Sequence, residues 1–166
     1  MDELVQMQIK RLRDMNFDAE LLLSKRGELE QRWEEAFAKD LSKAQKRKIA
    51  FPQCMWNAFS WNKIECLKEQ VAVDAFNQQK KARCYLFYAN IDDALFIKKA
   101  NRIKAEDIIH TDSPAIEKTF TSVHNNQSYF NSVEELRADL YVVDEHFTWT
   151  YVLTHEEGCG PYFYKP

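Results

Sequence analysis

Cys84-Tyr85-Leu86-Phe87-Tyr88, Asn90-Ile91-Asp92-Asp93 and Ala94-Leu95-Phe96-Ile97 read as strand, turn and returning strand, and this hairpin decides the fold class. The two apolar runs are too short for helices, and their aromatic residues favour strand. The segment between them is turn chemistry, because Asn and Asp side chains bond their own backbone and tolerate tight bends. Downstream, Leu140-Tyr141-Val142-Val143 is a further strand. Phe147, Trp149, Tyr151 and Leu153 then alternate with Thr148, Thr150, Val152 and Thr154. That period of two predicts a half-buried strand with an aromatic face and a threonine face. Gly158, Gly160 and Pro161 form a turn, and Tyr162-Phe163-Tyr164 reads as a last edge strand, since proline suits a strand start or edge.

Upstream of the hairpin the period is helical. Val5, Ile9 and Leu12 share one face of a helix over residues 1–16, and the narrow stripe predicts a peripheral position. Leu21-Leu22-Leu23 is compatible with a helix or a short strand. Leu29, Trp33, Phe37 and Leu41 recur every four residues, the clearest amphipathic helix in the chain. Ser42 and Gln45 make a capping box for the next short helix. Trp56 and Phe59 sit three apart, as on a buried helical turn, and Glu69–Gln79 reads as a helix burying Val71, Ala75 and Phe76. Residues 101–110 suggest another helix through Ile103, Ile108 and Ile109. The stretch 111–131 is polar and aperiodic and reads as an insertion loop, followed by a short helix capped by Ser132 and Glu135.

Helices first and antiparallel strands later predict an α+β fold, with N-terminal helices packed on one face of a mainly antiparallel C-terminal β-sheet. The length of 166 residues suits a single domain, 1–166. With 45% hydrophobic and 13% aromatic residues the chain can bury a core, which excludes a disordered class. The net charge of -3 argues against nucleic acid as a partner, because phosphate neutralisation needs a basic excess. Lys43, Lys46, Arg47 and Lys48 read as the solvated face of a short helix, and Lys80, Lys81 and Arg83 as a soluble lead-in to the first hairpin strand. No apolar window approaches a membrane span and the N-terminus lacks a signal-peptide pattern, so the expectation is a cytoplasmic protein with its four cysteines reduced.

The sharpest polar cluster is His155, Glu156 and Cys159 beside a glycine turn. An imidazole that takes the thiol proton would make Cys159 a nucleophile with Glu156 in support, and these three are the catalytic candidates of an enzyme reading. The structural alternative is a hydrogen-bonded turn with a packed thiol. Cys54, Cys66, Cys84, Cys159 and His155 match no zinc spacing, and neither metal nor cofactor is expected. His110 and His124 lie in the polar loop region, and His146 is a surface residue beside Asp144 and Glu145. Asp92 and Asp93 occupy one turn, and Asp144 with Glu145 another. Side by side, these turns would line one acidic edge suited to a cation or a basic partner, the alternative being ordinary turn chemistry, since Asp favours turns. Trp61 and Trp149 are the rings expected to be at least half-exposed, and with Asp92, Asp93 and Asp144 they form the candidate binding set. No phosphate loop, nucleophile elbow, zincin or kinase motif is present.

Several segments carry a resemblance. Cys54-Met55-Trp56-Asn57-Ala58-Phe59-Ser60 resembles the central motif of domain of unknown function 4275, a group of small bacterial proteins. Ala75-Phe76-Asn77, Cys84–Tyr88, Asp92–Leu95 and Leu140–Asp144 agree with it. So do Phe147–Val152, Thr154-His155-Glu156 and Cys159–Phe163. The set spans most of the chain after Gly27, apart from the region near 111–138. The family often carries histidine after the motif tryptophan where this chain has Asn57, so a catalytic role for that histidine does not carry over. The polar insertion is unusual for the group. The resemblance implies a class and no known activity. With no catalytic motif and an acidic balance, the expectation is a non-enzymatic protein-binding module such as an immunity or antitoxin protein with a toxin-like partner. The alternatives are a thiol-dependent hydrolase centred on Cys159 and His155, or a small-ligand-binding domain. The oligomeric state stays open.

Overall fold

The structure is a computed structural model that describes residues 2–108 and 138–166. The polar loop 111–131, Ile109, His110, His124 and the helix capped by Ser132 and Glu135 lie outside the described residues. In chain order the helices are α1 (Glu3–Asp14), α2 (Arg26–Phe37), α3 (Lys43–Lys48), α4 (Asn57–Ser60) and α5 (Glu69–Gln78). The strands are β1 (Ala19–Leu22), β2 (Leu67–Lys68), β3 (Cys84–Tyr88), β4 (Ala94–Ile97), β5 (Leu140–Asp144), β6 (Thr150–Leu153) and β7 (Tyr162–Tyr164). They make one seven-stranded sheet in the order β1-β4-β3-β5-β6-β7-β2, and every neighbouring pair is antiparallel. The α+β class holds, with the predicted β3–β4 hairpin near the centre of the sheet.

Register explains why both faces of the sheet are dry. Leu95, Leu86, Val142, Tyr151 and Phe163 pair across five strands as one row, and all face one core cluster. The next row, Ala94, Phe87, Tyr141, Val152 and Tyr162, faces a second cluster on the opposite side. Side chains alternate along a strand, so the continuous apolar runs of β3 to β6 need cover on both faces. The single helical layer expected from sequence is therefore corrected to two. α1 and α5 cover the first face, while α2, the residues after α3 and α4 cover the second. α1 is no peripheral helix either: Leu4, Val5, Met7, Ile9 and Leu12 are all buried in the first cluster. Leu4 and Met7 flank Val5, Ile9 and Leu12 and widen the buried stripe.

Other differences are local. The Leu21-Leu22-Leu23 ambiguity resolves as β1, an edge strand paired with β4. β7 is not the edge, because β2 pairs outside it. Residues 101–108 hold one 3-10 turn, Ala105–Asp107, instead of a long helix, although Ile103 and Ile108 are buried. α5 buries Ala72 and Phe76 and leaves Val71 out. Thr150 on the threonine face is also buried and accepts the Trp33 indole N–H at 2.9 Å. Lys81 is buried rather than a soluble lead-in to β3. The capping box of α3 forms in both halves, Gln45 N–H to Ser42 Oγ and Ser42 N–H to Gln45 Oε1.

Candidate functional site

β6 ends at Leu153, and the chain then turns through Thr154, His155 and Glu156 to Cys159. The Thr154 hydroxyl closes this turn, 2.5 Å from the Cys159 carbonyl and 3.2 Å from that of Glu156. Gly160 follows at φ 84, where an L side chain is strained, and an added Cβ would stand 3.2 Å from the Tyr162 ring. Asp139, at the approach to β5, is buried. Its Oδ1 accepts the His155 backbone N–H at 2.8 Å and stands 2.8 Å from Nδ1 of the same imidazole. A carboxylate on Nδ1 sets ring orientation and leaves Nε2 facing outward. Nε2 lies 3.9 Å from Glu156, whose other carboxylate oxygen is 3.7 Å from Cys159 Sγ.

Trp56 brings the first motif to this place. Its ring stacks on Tyr162 with centroids 6.4 Å apart and meets His155 edge-on at 6.2 Å. Its backbone N–H donates to the Tyr141 hydroxyl at 3.3 Å, and its buried indole N–H has no hydrogen-bond partner among the described residues. Two stretches about a hundred residues apart in sequence thus meet where the Trp56 ring touches His155, which Asp139 holds.

The surroundings of the four thiols favour their protonated form. Burial, then the Glu156 charge and its hydrogen bond, push the Cys159 thiol up from its ordinary value. Burial and the charges of Asp139 and Glu156 do the same to Cys54. Activation would require the reverse, a nearby cation or imidazole that favours thiolate. In this geometry the Glu156 carboxylate lies between the His155 ring and Cys159 and faces the sulfur. Cys66 and Cys84 are pushed up by burial to about 11 and about 12. Among the described residues no group of three or more His, Cys, Asp or Glu is placed to hold a metal ion.

The other candidate residues scatter. Trp149 is 2% exposed, packed edge-on to Phe76 and stacked on Phe163, so the expectation of exposure is corrected. Its strand neighbours are covered on both faces, which the alternating pattern alone could not reveal. Trp61 is 56% exposed. Asp92 pairs with Arg26 at 2.9 Å, and Asp93 accepts the Ser24 N–H at 3.0 Å. Asp144 accepts the Thr148 and Trp149 backbone N–H groups at 2.6 and 3.1 Å, which holds Phe147 in its turn at φ 55. The two acidic turns do not share an edge. β3 pairs Cys84 with Asp144 and Tyr88 with Leu140, so the Asp92–Asp93 turn lies at the other end of the strands.

Sequence reasoning missed Asp139, whose one signal is its place directly before the apolar run of β5. It also missed the junction of Tyr141, Cys54 and Trp56, which depends on contacts between distant segments. Among the described residues, no helix is long and apolar enough to cross a membrane. No curated protein and no solved structure matches the chain. A family model described as a domain of unknown function (DUF4275) matches residues 7–163, which takes in both convergent motifs, and the chain belongs to that family.

Proposed function

We propose that this chain is a non-enzymatic protein-binding module of the immunity or antitoxin kind, acting in the cytoplasm by occluding a basic, toxin-like partner. The observation that carries the reading is the exposed apolar stretch along the outer edge of the sheet. Trp61, Leu67 and Val71 are 56%, 44% and 58% exposed on the chain that enters β2, forms it and begins α5. Folding alone gives no reason to leave a tryptophan in water, whereas tryptophan is the residue most enriched at binding hot spots. β2 is an edge strand of two residues with Lys68 on it, a length and charge that limit indiscriminate strand pairing. The net charge of -3 favours a basic partner. The raised thiols of Cys54 and Cys159 weigh against the thiol-hydrolase alternative.

The test is calorimetric binding of the purified chain to a basic toxin domain encoded beside it. Trp61→Ala is expected to weaken that binding by about 2 kcal/mol or more, a hot-spot magnitude, with thermal unfolding unchanged. Equal affinity of the variant, or no binding by the wild type to any such neighbour, overturns the reading.

A further inference from the structure

Among the described residues, the large apolar side chains left in water sit at the two outer edges of the sheet. Trp61, Leu67 and Val71 surround β2, and Leu23, 67% exposed, follows β1. The strand order puts β1 and β2 at opposite ends, so the β1 edge is a surface separate from the one proposed above.

The register with β4 shows which backbone groups of β1 are open. The Lys98 N–H donates to the Asp18 carbonyl at 2.8 Å, which makes Asp18 a hydrogen-bonded position of the ladder. Bonded and unbonded positions alternate in an antiparallel pair. Glu20 and Leu22 therefore bond to β4 opposite Phe96 and Ala94, whereas Ala19 and Leu21 turn their N–H and C=O outward. The Ala19 carbonyl is already covered, since Arg13 donates to it from Nε at 3.3 Å and from Nη2 at 3.1 Å. Within β1, Leu21 alone keeps both groups without a partner among the described residues. The strand also lacks the usual guards of an open edge. It has no proline or lysine, and Glu20, its single charge, is paired with Lys98 at 3.1 Å. A groove of about 310 Å³ runs beside it on the α2 face, with Leu22, Leu29, Tyr85 and Phe96 as its apolar lining.

We infer that β1 is the contact between two copies of this chain, joined antiparallel about a two-fold axis through Leu21 into one continuous sheet. One free residue fixes one symmetric register. Leu21 opposite Leu21 of the other copy exchanges both backbone hydrogen bonds and satisfies the two edges at once. The same register sets Ala19 opposite the other copy's Leu23, which covers the exposed leucine, and sets Leu22 opposite Glu20 beside the groove. Charge selects the direction. Asp18 and Glu20 precede the leucines and Lys25 and Arg26 follow them, so antiparallel pairing brings the acidic end of one copy to the basic end of the other. A parallel pairing would set like charges together. Asp18 is exposed and forms no salt bridge among the described residues, and the Lys25–Glu28 pair at 2.6 Å is exposed on both sides, where a change of partner costs little.

Sedimentation equilibrium of the full-length chain tests the inference. A reversible dimer is expected, with a dissociation constant of about 10–100 μM, because the contact is small, and it should weaken as salt is raised. Leu21→Pro removes the outward N–H without costing a bond to β4 and should weaken the dimer by about tenfold or more. Leu23→Glu places a charge against the other copy's Ala19 and Asp18 and should act in the same direction, which decides the matter if the proline variant fails to fold. Asp18→Lys should also weaken the dimer, and adding Lys25→Asp should recover most of that loss. A chain that stays monomeric up to about 1 mM overturns the inference and leaves the edge to a strand of another protein. A dimer unmoved by Leu23→Glu, or a charge swap without recovery, overturns it as well. Trp61→Ala should leave the dimer constant unchanged, so this contact and the proposed partner edge stand or fall separately. A dimer that Trp61→Ala dissociates and Leu23→Glu does not would place self-association at β2 and refute the assignment to β1.

Discussion

Gly160 shows how much one position can carry. Its φ of 84 and the nearby Tyr162 ring, 3.2 Å from where a Cβ would stand, penalise any side chain twice. Gly160→Ala is expected to cost about 1–3 kcal/mol in denaturant unfolding, the range of a strained left-handed residue with a local clash. Cys84 gives a pH signature. Burial holds its thiol protonated up to about 12, whereas the unfolded chain releases that proton near 9.0. Above pH 9 the native state therefore binds more protons than the unfolded state, and this contribution to stability is lost as pH rises toward 12. Lys81 acts in the opposite sense. Burial lowers it to about 8 against an ordinary 10.5, so between those values the unfolded chain holds the extra proton and rising pH favours the fold through this group. Cys84→Ala should then flatten the alkaline decline of unfolding free energy by up to about 1.4 kcal/mol per pH unit above pH 9. An unchanged slope in the variant would refute the assignment.

At the scale of elements, Lys81 reads from sequence as part of a solvated basic cluster, and the structure makes it the cap of α5. Its ammonium donates to the carbonyls of Phe76 and Gln79 and lies over the Phe76 ring. The last carbonyls of a helix have no partner within it, and here a buried lysine supplies one. Lys81→Met keeps the apolar stem and abandons those carbonyls, for an expected loss of about 1–3 kcal/mol in thermal or chemical unfolding. By contrast α2 and the α3 capping box were legible before any coordinates, because a four-residue apolar repeat and a Ser-x-x-Gln pattern are local signals. β1 and β2 were not. Four residues and two residues are too few to show a period, and their pairing with β4 and β7 depends on partners far along the chain.

Across the whole molecule, helices on both faces make the central sheet dry and bring the N-terminal helix into the core. Leu12→Ala is expected to cost about 2–5 kcal/mol, as for other fully buried leucines, whereas a peripheral helix would lose little. Trp61→Ala, on the exposed edge, should change stability by less than about 0.5 kcal/mol. Equilibrium denaturation of the two variants side by side checks both. The candidate site follows the same division. His155, Glu156 and Cys159 were visible as a cluster because they are neighbours in sequence, but their roles were not.

The sequence by itself determined the α+β class, the β3–β4 hairpin, the amphipathic α2 and the family, since each is written in local periods, turn residues or ordered motifs. Tertiary structure alone decided that the sheet is covered twice, that Trp149 and Lys81 are buried, that the acidic turns lie at opposite ends, and that Asp139 holds His155 while Glu156 faces Cys159. The physical reason is that burial and electrostatic environment arise from contacts between segments distant in the chain, and no local pattern of residues encodes which segments will meet.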